Sequence, residues 1–261
     1  MYPGNRRAIL FSAAVVAAAM IWGVDARAAT IIDLGTNDSG TSNGAIFEWT
    51  PEQPTGTGFI NSFVRIQANG TEQGYNHSVG GDRPWDTKAG LFTHDIQYQD
   101  LVVRTVLGVD YFEFLLDINE IATAEGSWIS LDNVQIFTRD TAITSAGDSL
   151  DGLGDLKWNM DVGPDGDTTV LLDYGRNNGS GSGDMFLLVP VALFSGVDAE
   201  DFVYFYSHFG TAIGSDAGFE EWALRESAGQ GPIDNAPVPE PGSMILLGTG
   251  LLYAAKRMRS A

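Results

Sequence analysis

Apolar and polar residues alternate in short runs through the middle of the chain, and glycine, asparagine and aspartate separate the runs. The alternation is clear in Asn133–Thr138 and less regular in Val203–Phe209. A period of two with many β-branched and aromatic residues is typical of strands. We predict an all-β fold, a single antiparallel β-sandwich of jelly-roll type over residues 29–228. The predicted strands are Ala45–Thr50, Phe59–Ala68, Leu101–Leu107, Tyr111–Ile118, Trp128–Phe137, Thr168–Tyr174, Met185–Leu193 and Phe202–Phe209.

Helical periodicity is confined to short segments near the end of this region. In Phe219–Ser227 it places Phe219, Trp222 and Ala223 on one helical face. Asp216 precedes this segment and is predicted to be its N-cap. Ala199–Asp201 has the length of a single helical turn. Residues 229–237 then turn to Gly, Pro, Asn and Gln, which predicts a flexible linker.

The N-terminal segment, residues 1–28, has the three parts of a secretory signal peptide. Arg6 and Arg7 precede an apolar run from Ala8 to Val24, and Asp25-Ala26-Arg27-Ala28 follows. Small side chains at Ala26 and Ala28 fit the cleavage site, so we predict a cut after Ala28. The alternative is an uncleaved membrane anchor.

The C-terminal segment, residues 238–261, also has three parts. Val238-Pro-Glu-Pro-Gly-Ser243 is followed by the apolar run Met244–Ala255 and then by Lys256, Arg257 and Arg259. The prolines keep the first part extended, and the cations stop translocation on the cytoplasmic side. The run of about a dozen residues is shorter than the roughly 20 of a spanning helix, so snorkelling or local thinning must cover the difference. The alternative is a buried C-terminal helix.

This tail resembles the PEP-CTERM sorting signal of Gram-negative bacteria, whose proteins are substrates of exosortases. The resemblance implies that Pro239, Glu240 and Pro241 are read by an exosortase-type membrane protease, and that Lys256, Arg257 and Arg259 stop transfer. It implies export, transient membrane insertion through a short hydrophobic helix, cleavage, and delivery to the cell surface or the extracellular matrix. The stretches Tyr111–Phe137 and Gly179–Pro190 resemble a recurrent ectodomain of such proteins, with no known activity.

The charge distribution restricts the partners of the middle region. The formal net charge is -20, with 34 acidic against 14 basic residues. Six of the basic residues lie in the two targeting segments, so the middle is more acidic still. This argues against nucleic acid, whose binding depends on Lys and Arg neutralising phosphates. Cysteine is absent, which excludes disulfides and thiolate chemistry.

One acidic loop is a candidate metal site. Asp161-Val-Gly-Pro-Asp165-Gly-Asp167 has acids at positions one and five of an EF-hand loop and glycine at six. Gly163 and Leu172 depart from that motif at positions three and twelve. Two interpretations therefore stay open. Asp161, Asp165 and Asp167 form a looser calcium site, or the Asp and Gly residues of this loop only form turns. Further acids, Asp148, Asp151 and Asp155, alternate with glycines just upstream.

No catalytic constellation is recognisable, and we predict a protein that is not an enzyme and has no cofactor. The three histidines, His77, His94 and His208, are widely separated in sequence, and no His-Glu-x-x-His or Gly-x-Ser-x-Gly motif occurs. The segment Gly80–Gly90, with Asp82, Arg83, Trp85 and Asp86, is a polar-aromatic loop of the kind that carries metal or sugar sites.

Three functions remain open. The first is a structural or adhesive protein of an exopolysaccharide matrix or biofilm, as the resemblance implies. The second is a calcium-assisted carbohydrate-binding module, and a surface cluster of aromatic side chains beside the loops of residues 148–167 would favour it. The third is a polysaccharide hydrolase that uses paired acids such as Asp82 and Asp86, which would need a deep cleft.

Overall fold

The computed structural model describes residues 29–51, 61–123, 126–179, 183–216 and 218–224. The strands in these residues are β1 Thr30–Asp33, β2 Ser39–Ser42, β3 Ala45–Trp49, β4 Asn61–Ile66, β5 Asn69–Gly70, β6 Glu72–Tyr75, β7 Ile96–Gln97, β8 Val103–Val106, β9 Val109–Asp117, β10 Trp128–Arg139, β11 Asp155–Asn159, β12 Thr168–Asp173, β13 Met185–Pro190, β14 Phe202–Phe209, β15 Ser215–Asp216 and β16 Glu220–Leu224. Short 3₁₀ turns occupy Tyr98–Asp100, Tyr174–Arg176 and Val191–Phe194.

The strands form two large sheets. Sheet A has the order β1-β12-β10-β14-β6, with β11 added to β10 and β7 added to β14. Sheet B has the order β2-β3-β13-β9-β16-β4, with β8 added to β9. Strands β5 and β15 form a separate pair. The pairing is antiparallel apart from β1 with β12, which run parallel from Thr30 opposite Thr168 to Asp33 opposite Leu171.

Aromatic side chains fill the space between the two sheets. The Phe205 ring of β14 in sheet A lies 5.6 Å from Phe63, 5.0 Å from Phe114 and 4.7 Å from Trp222, centroid to centroid. These three partners belong to sheet B. The Trp222 indole N–H donates to the Ser207 hydroxyl of sheet A at 3.1 Å, which satisfies the one polar group of this buried ring. The predicted all-β antiparallel sandwich is thus confirmed.

The predicted helix at Phe219–Ser227 is wrong for its described part. Residues 220–224 form β16, which pairs with β9 on one side and with β4 on the other. Its pairing with β4 shifts register between Trp222 and Ala223, and both are fully buried. A bulge of this kind disturbs the alternation of faces along a strand. Asp216, the predicted N-cap, lies instead in β15 opposite Asn69.

Several strands escaped prediction because their sequences lack apolar alternation. Strand β2 reads Ser-Gly-Thr-Ser and β6 reads Glu-Gln-Gly-Tyr. The longer predicted strands agree with the structure apart from their ends. Met185–Leu193, for example, is a strand only as far as Pro190 and then enters a 3₁₀ turn.

Candidate functional site

The residues of both predicted targeting segments lie outside the described part of the chain. They are the signal-peptide residues Ala26 and Ala28, the processing residues Pro239, Glu240 and Pro241, and the stop-transfer residues Lys256, Arg257 and Arg259. The predicted linker at residues 229–237 lies outside it as well. Within the described residues, no helix has the length and hydropathy needed to cross a membrane.

The acidic loop of residues 160–167 joins β11 to β12 and packs on the turn between β2 and β3. Asp165 and Asn43 exchange two hydrogen bonds: the Asn43 amide donates to Asp165 Oδ2 at 2.8 Å, and the Asp165 amide donates to Asn43 Oδ1 at 3.0 Å. Asn43 Nδ2 also donates to the carbonyls of Met160 and Gly166, at 2.6 and 2.8 Å. The Asp165 carboxylate therefore closes the loop onto Asn43.

The other two candidate ligands, Asp161 and Asp167, lie close to each other. Asp161 accepts hydrogen bonds from the Thr168 amide at 3.2 Å and from the Asn133 side chain. Burial raises the pKa of Asp161, and the nearby Asp167 carboxylate raises it further. The structure thus brings Asp161 and Asp167 together, while Asp165 faces Asn43.

Among the described residues, no three His, Cys, Asp or Glu side chains are grouped as a metal ion would require. This holds for His77, His94 and His208 as well. The Nδ1 atom of His208 lies 3.5 Å from the Thr211 hydroxyl oxygen. Calcium binding by Asp161, Asp165 and Asp167 stays a prediction.

Sheet A carries a second apolar cluster on its outer face. Side chains alternate between the two faces of a strand, so that Tyr204 and Tyr206 point away from the face on which Phe205 packs. The outer aromatic cluster consists of Tyr75, Phe137, Tyr204 and Tyr206 from the strands, with Ile143, Ala146 and Leu153 from the loop of residues 140–154 and the partly buried Trp85. Sheet A is therefore covered on both faces.

Side-chain to backbone hydrogen bonds hold the 140–154 loop over this cluster. The Tyr204 hydroxyl accepts from the Ile143 amide at 2.8 Å. The Tyr75 hydroxyl lies 3.0 Å from both the amide and the carbonyl of Gly147, donating to the carbonyl. Burial raises the pKa of Tyr75, and it raises the pKa of Tyr204 to about 12. Both phenols thus stay neutral and able to donate at physiological pH.

The loop of residues 76–95 meets the 140–154 loop at Trp85. The Trp85 amide donates to Asp148 Oδ1 at 2.6 Å, and Asp82 Oδ2 accepts from the Ala146 amide at 2.8 Å. The φ of Trp85 is 50°, in the left-handed region that bulky residues rarely adopt. Its ring lies 6.0 Å from Tyr75 and 5.6 Å from Tyr206. The surroundings thus hold the Trp85 backbone in a conformation that costs energy, and such residues cluster at functional sites.

A cleft opens beside this junction. Its volume is about 590 Å³, and it is lined by Tyr75, Arg139, Thr141–Ser145, Gly147–Ser149 and Asp151–Leu153. Arg139 Nη1 donates to the Gly152 carbonyl at 2.6 Å and so ties one wall together. The hydroxyl, carboxylate and guanidinium groups of this lining are suited to a neutral, hydroxyl-rich ligand.

The paired acids of the hydrolase alternative are both used in hydrogen bonds to the backbone. Asp82 accepts a hydrogen bond from the Ala146 amide, and Asp86 Oδ2 accepts one from the Gln73 amide at 3.0 Å. The sequence indicates the Gly80–Gly90 segment and the acids that begin at Asp148 as two separate candidate regions. Their contact was not predicted, because the 62 residues between Trp85 and Asp148 carry no local signal that they meet.

Comparison with known proteins identifies the C-terminal end of the chain. A model of the PEP-CTERM protein-sorting motif matches residues 237–259, which agrees with the predicted tail at 238–261. No curated protein and no solved structure matches the chain.

Proposed function

We propose, from the premise that this chain carries a PEP-CTERM protein-sorting motif, that it is a non-enzymatic structural or adhesive protein of the cell surface or extracellular polymer matrix. The motif implies an exported, exosortase-processed protein of a Gram-negative bacterium, and this observation carries the proposal. In the proposed route, residues 1–28 are removed on export, the tail inserts briefly in the inner membrane, and the protease cuts near Pro239.

The composition and the packing support a role without catalysis. The strongly acidic chain keeps a secreted domain dispersed. The acids singled out by sequence, Asp82, Asp86, Asp161 and Asp165, accept hydrogen bonds from backbone amides of neighbouring loops and strands. A two-sheet sandwich with a large aromatic core suits a protein that must remain folded without disulfides.

Processing is tested by intact-mass analysis of the protein recovered from a host that has an exosortase. The test variant replaces Pro239, Glu240 and Pro241 by Ala. The matched control carries Pro232→Ala and Asp234→Ala, which remove a proline and an acid outside the matched segment. We expect the wild type and the control to lose residues 1–28 and the tail, and the test variant to keep its tail and remain in the membrane.

The contrary result is equally sharp. An intact C-terminus in the wild type, in a host whose exosortase processes another substrate, would exclude sorting by this motif. Retention of residues 1–28 would show that the N-terminal segment is an anchor and not a signal peptide.

A second candidate function, a calcium-assisted carbohydrate-binding module, is favoured by one specific observation. The outer aromatic cluster packs against the 140–154 loop; its strand rings are buried, and Trp85 is its partly exposed aromatic member next to Asp148. Trp85 contacts Asp148, and the negative charge of Asp161 is close enough to raise the pKa of Tyr206 further, after the larger effect of burial. The polar lining of the cleft would hydrogen-bond to a sugar, and the neighbouring Trp85 ring would supply the stacking face.

Carbohydrate binding is tested by affinity electrophoresis of the full chain in gels that contain the host's own exopolysaccharide. We expect Trp85→Ala to weaken retardation about tenfold, because it removes a partly exposed aromatic ring next to Asp148, which lines the cleft. The matched control is Trp49→Ala, a half-buried tryptophan of sheet B that stacks on Arg176. Equal retardation of wild type and Trp85→Ala would argue against carbohydrate binding at this site. Retardation that is unchanged by a calcium chelator would show that carbohydrate binding does not require calcium.

A further inference from the structure

Three glutamate side chains meet in the interior where sheet A faces sheet B. Glu72 lies in β6 of sheet A, Glu220 lies in β16 of sheet B, and Glu120 follows β9. Glu72 and Glu220 have no exposed surface, and Glu120 is 7% exposed. The Glu220 carboxyl group lies within hydrogen-bonding distance of both Glu72 and Glu120. Three acids thus share one dry site.

The donors around this cluster satisfy only its outer members. The Ala68 amide donates to Glu72 Oε2 at 2.6 Å, and the Asp216 amide donates to Glu120 Oε2 at 2.7 Å. Glu72 Oε1, Glu120 Oε1 and both oxygens of Glu220 have no donor among the described residues. A buried carboxylate without a donor or a cation is strongly unfavourable. The central glutamate therefore requires a positively charged or hydrogen-bonding partner that the described residues do not supply.

Protons on the carboxyl groups would provide the missing hydrogen bonds. Two protons shared among the three carboxyl groups allow two O–H···O hydrogen bonds, which together involve all four remaining oxygens. The charged groups facing the cluster do not replace them. Asp86 and Asp216 add negative charge near Glu72 and Glu120, respectively. The Lys88 charge lowers the pKa of Glu72, but burial has the larger effect and the pKa is raised. Arg65 forms an ion pair with Glu221, the next residue of β16 after Glu220.

We propose that Glu72, Glu120 and Glu220 form a proton-operated clasp between the sheets. When the protons are shared, the carboxyl groups hydrogen-bond to one another and hold β16 against sheet A. When the cluster ionises, three negative charges repel in a site that excludes water, and β16 loosens. The proposal is independent of sorting and of carbohydrate binding.

The pKa directions agree with this geometry. Burial raises the pKa of Glu120 to about 7. Burial, and then the neighbouring Glu72 and Glu120, raise the pKa of Glu220 well above its usual range. A carboxyl group whose pKa is higher in the folded than in the unfolded state contributes stability that is complete below the unfolded value, about 4.5. That contribution is lost as the pH rises through the folded value.

The test is urea unfolding of the full-length chain in mild detergent at pH 5.5 and pH 8, followed by tryptophan fluorescence. We expect the folding equilibrium constant of the wild type to fall at least about tenfold between the two pH values. Glu220→Gln keeps the shape and hydrogen-bonding groups without the charge, and we expect it to remove most of this change. Glu200→Gln removes an exposed carboxylate elsewhere and should leave the change intact.

Each contrary outcome identifies a different error. An unchanged pH dependence in Glu220→Gln would overturn the clasp. Stabilisation by millimolar Ca²⁺ at pH 8 that Glu220→Gln abolishes would overturn the proton assignment in favour of a metal ion. If the variant does not fold, ¹³C NMR of the glutamate carboxyl groups in the wild type decides. A glutamate that titrates near pH 7 supports the clasp, and glutamates that all titrate below pH 5.5 contradict it.

Discussion

At the scale of single residues, Asn43 connects more of the structure than its position in a turn suggests. It forms the turn Asn43-Gly44 between β2 and β3, with φ values of 48° and 83°. Asn-Gly is the preferred dipeptide for a two-residue hairpin that needs left-handed conformations at both positions. The same side chain then closes the acidic loop through Asp165. One asparagine thus fixes a hairpin of sheet B and a loop of sheet A.

Replacement of Asn43 by Ala tests this role. We expect the free energy of unfolding to fall by about 2–4 kcal/mol, since three side-chain hydrogen bonds are lost and alanine is strained at a positive φ. Chemical denaturation measures the loss, and Asn178→Ala, at an exposed asparagine, is the matched control. A cost under about 0.5 kcal/mol, typical of ordinary surface substitutions, would show that the loop does not depend on Asn43.

At the scale of elements, β16 joins the two halves of the core. It lies between β9 and β4 in sheet B, and its Trp222 reaches across to Phe205 and Ser207 of sheet A. Phe219, Trp222 and Ala223 have the i, i+3, i+4 spacing of one helical face, and the register shift between Trp222 and Ala223 breaks the alternation that would indicate a strand. Backbone pairing on both sides makes the strand the more favourable state, because every buried N–H and C=O must find a partner.

A double-mutant cycle at Trp222 and Ser207 tests the packing of β16 on sheet A. Trp222→Phe removes the indole N–H, and Ser207→Ala removes its acceptor. We expect a coupling energy of about 0.5–1.5 kcal/mol from urea unfolding of the two single variants and the double variant. The pair Trp222→Phe and Ser195→Ala serves as the control and should be additive. Additivity at Trp222 and Ser207 would mean that the two side chains do not meet.

At the scale of the whole molecule, charge divides the chain into parts with different tasks. The basic residues Arg6, Arg7, Lys256, Arg257 and Arg259 lie in the targeting segments, whereas most acids lie between them. Cations beside apolar runs set the direction of membrane insertion, and an acidic body is repelled by anionic surfaces. Processing by an exosortase would therefore release a more acidic protein than the one that was synthesised. The intact-mass experiment measures the loss of both targeting segments.

Sequence by itself determined the class of fold and the sorting tail. Alternation of burial and the choice of β-branched and aromatic residues are local properties, and the Pro239-Glu240-Pro241 tail is a linear motif that needs no fold around it. Only the tertiary structure decided that β16 is a strand, that Trp85 meets Asp148, and that Glu72, Glu120 and Glu220 converge. These contacts join residues far apart in the chain, and long-range pairing leaves no periodic trace in any one segment.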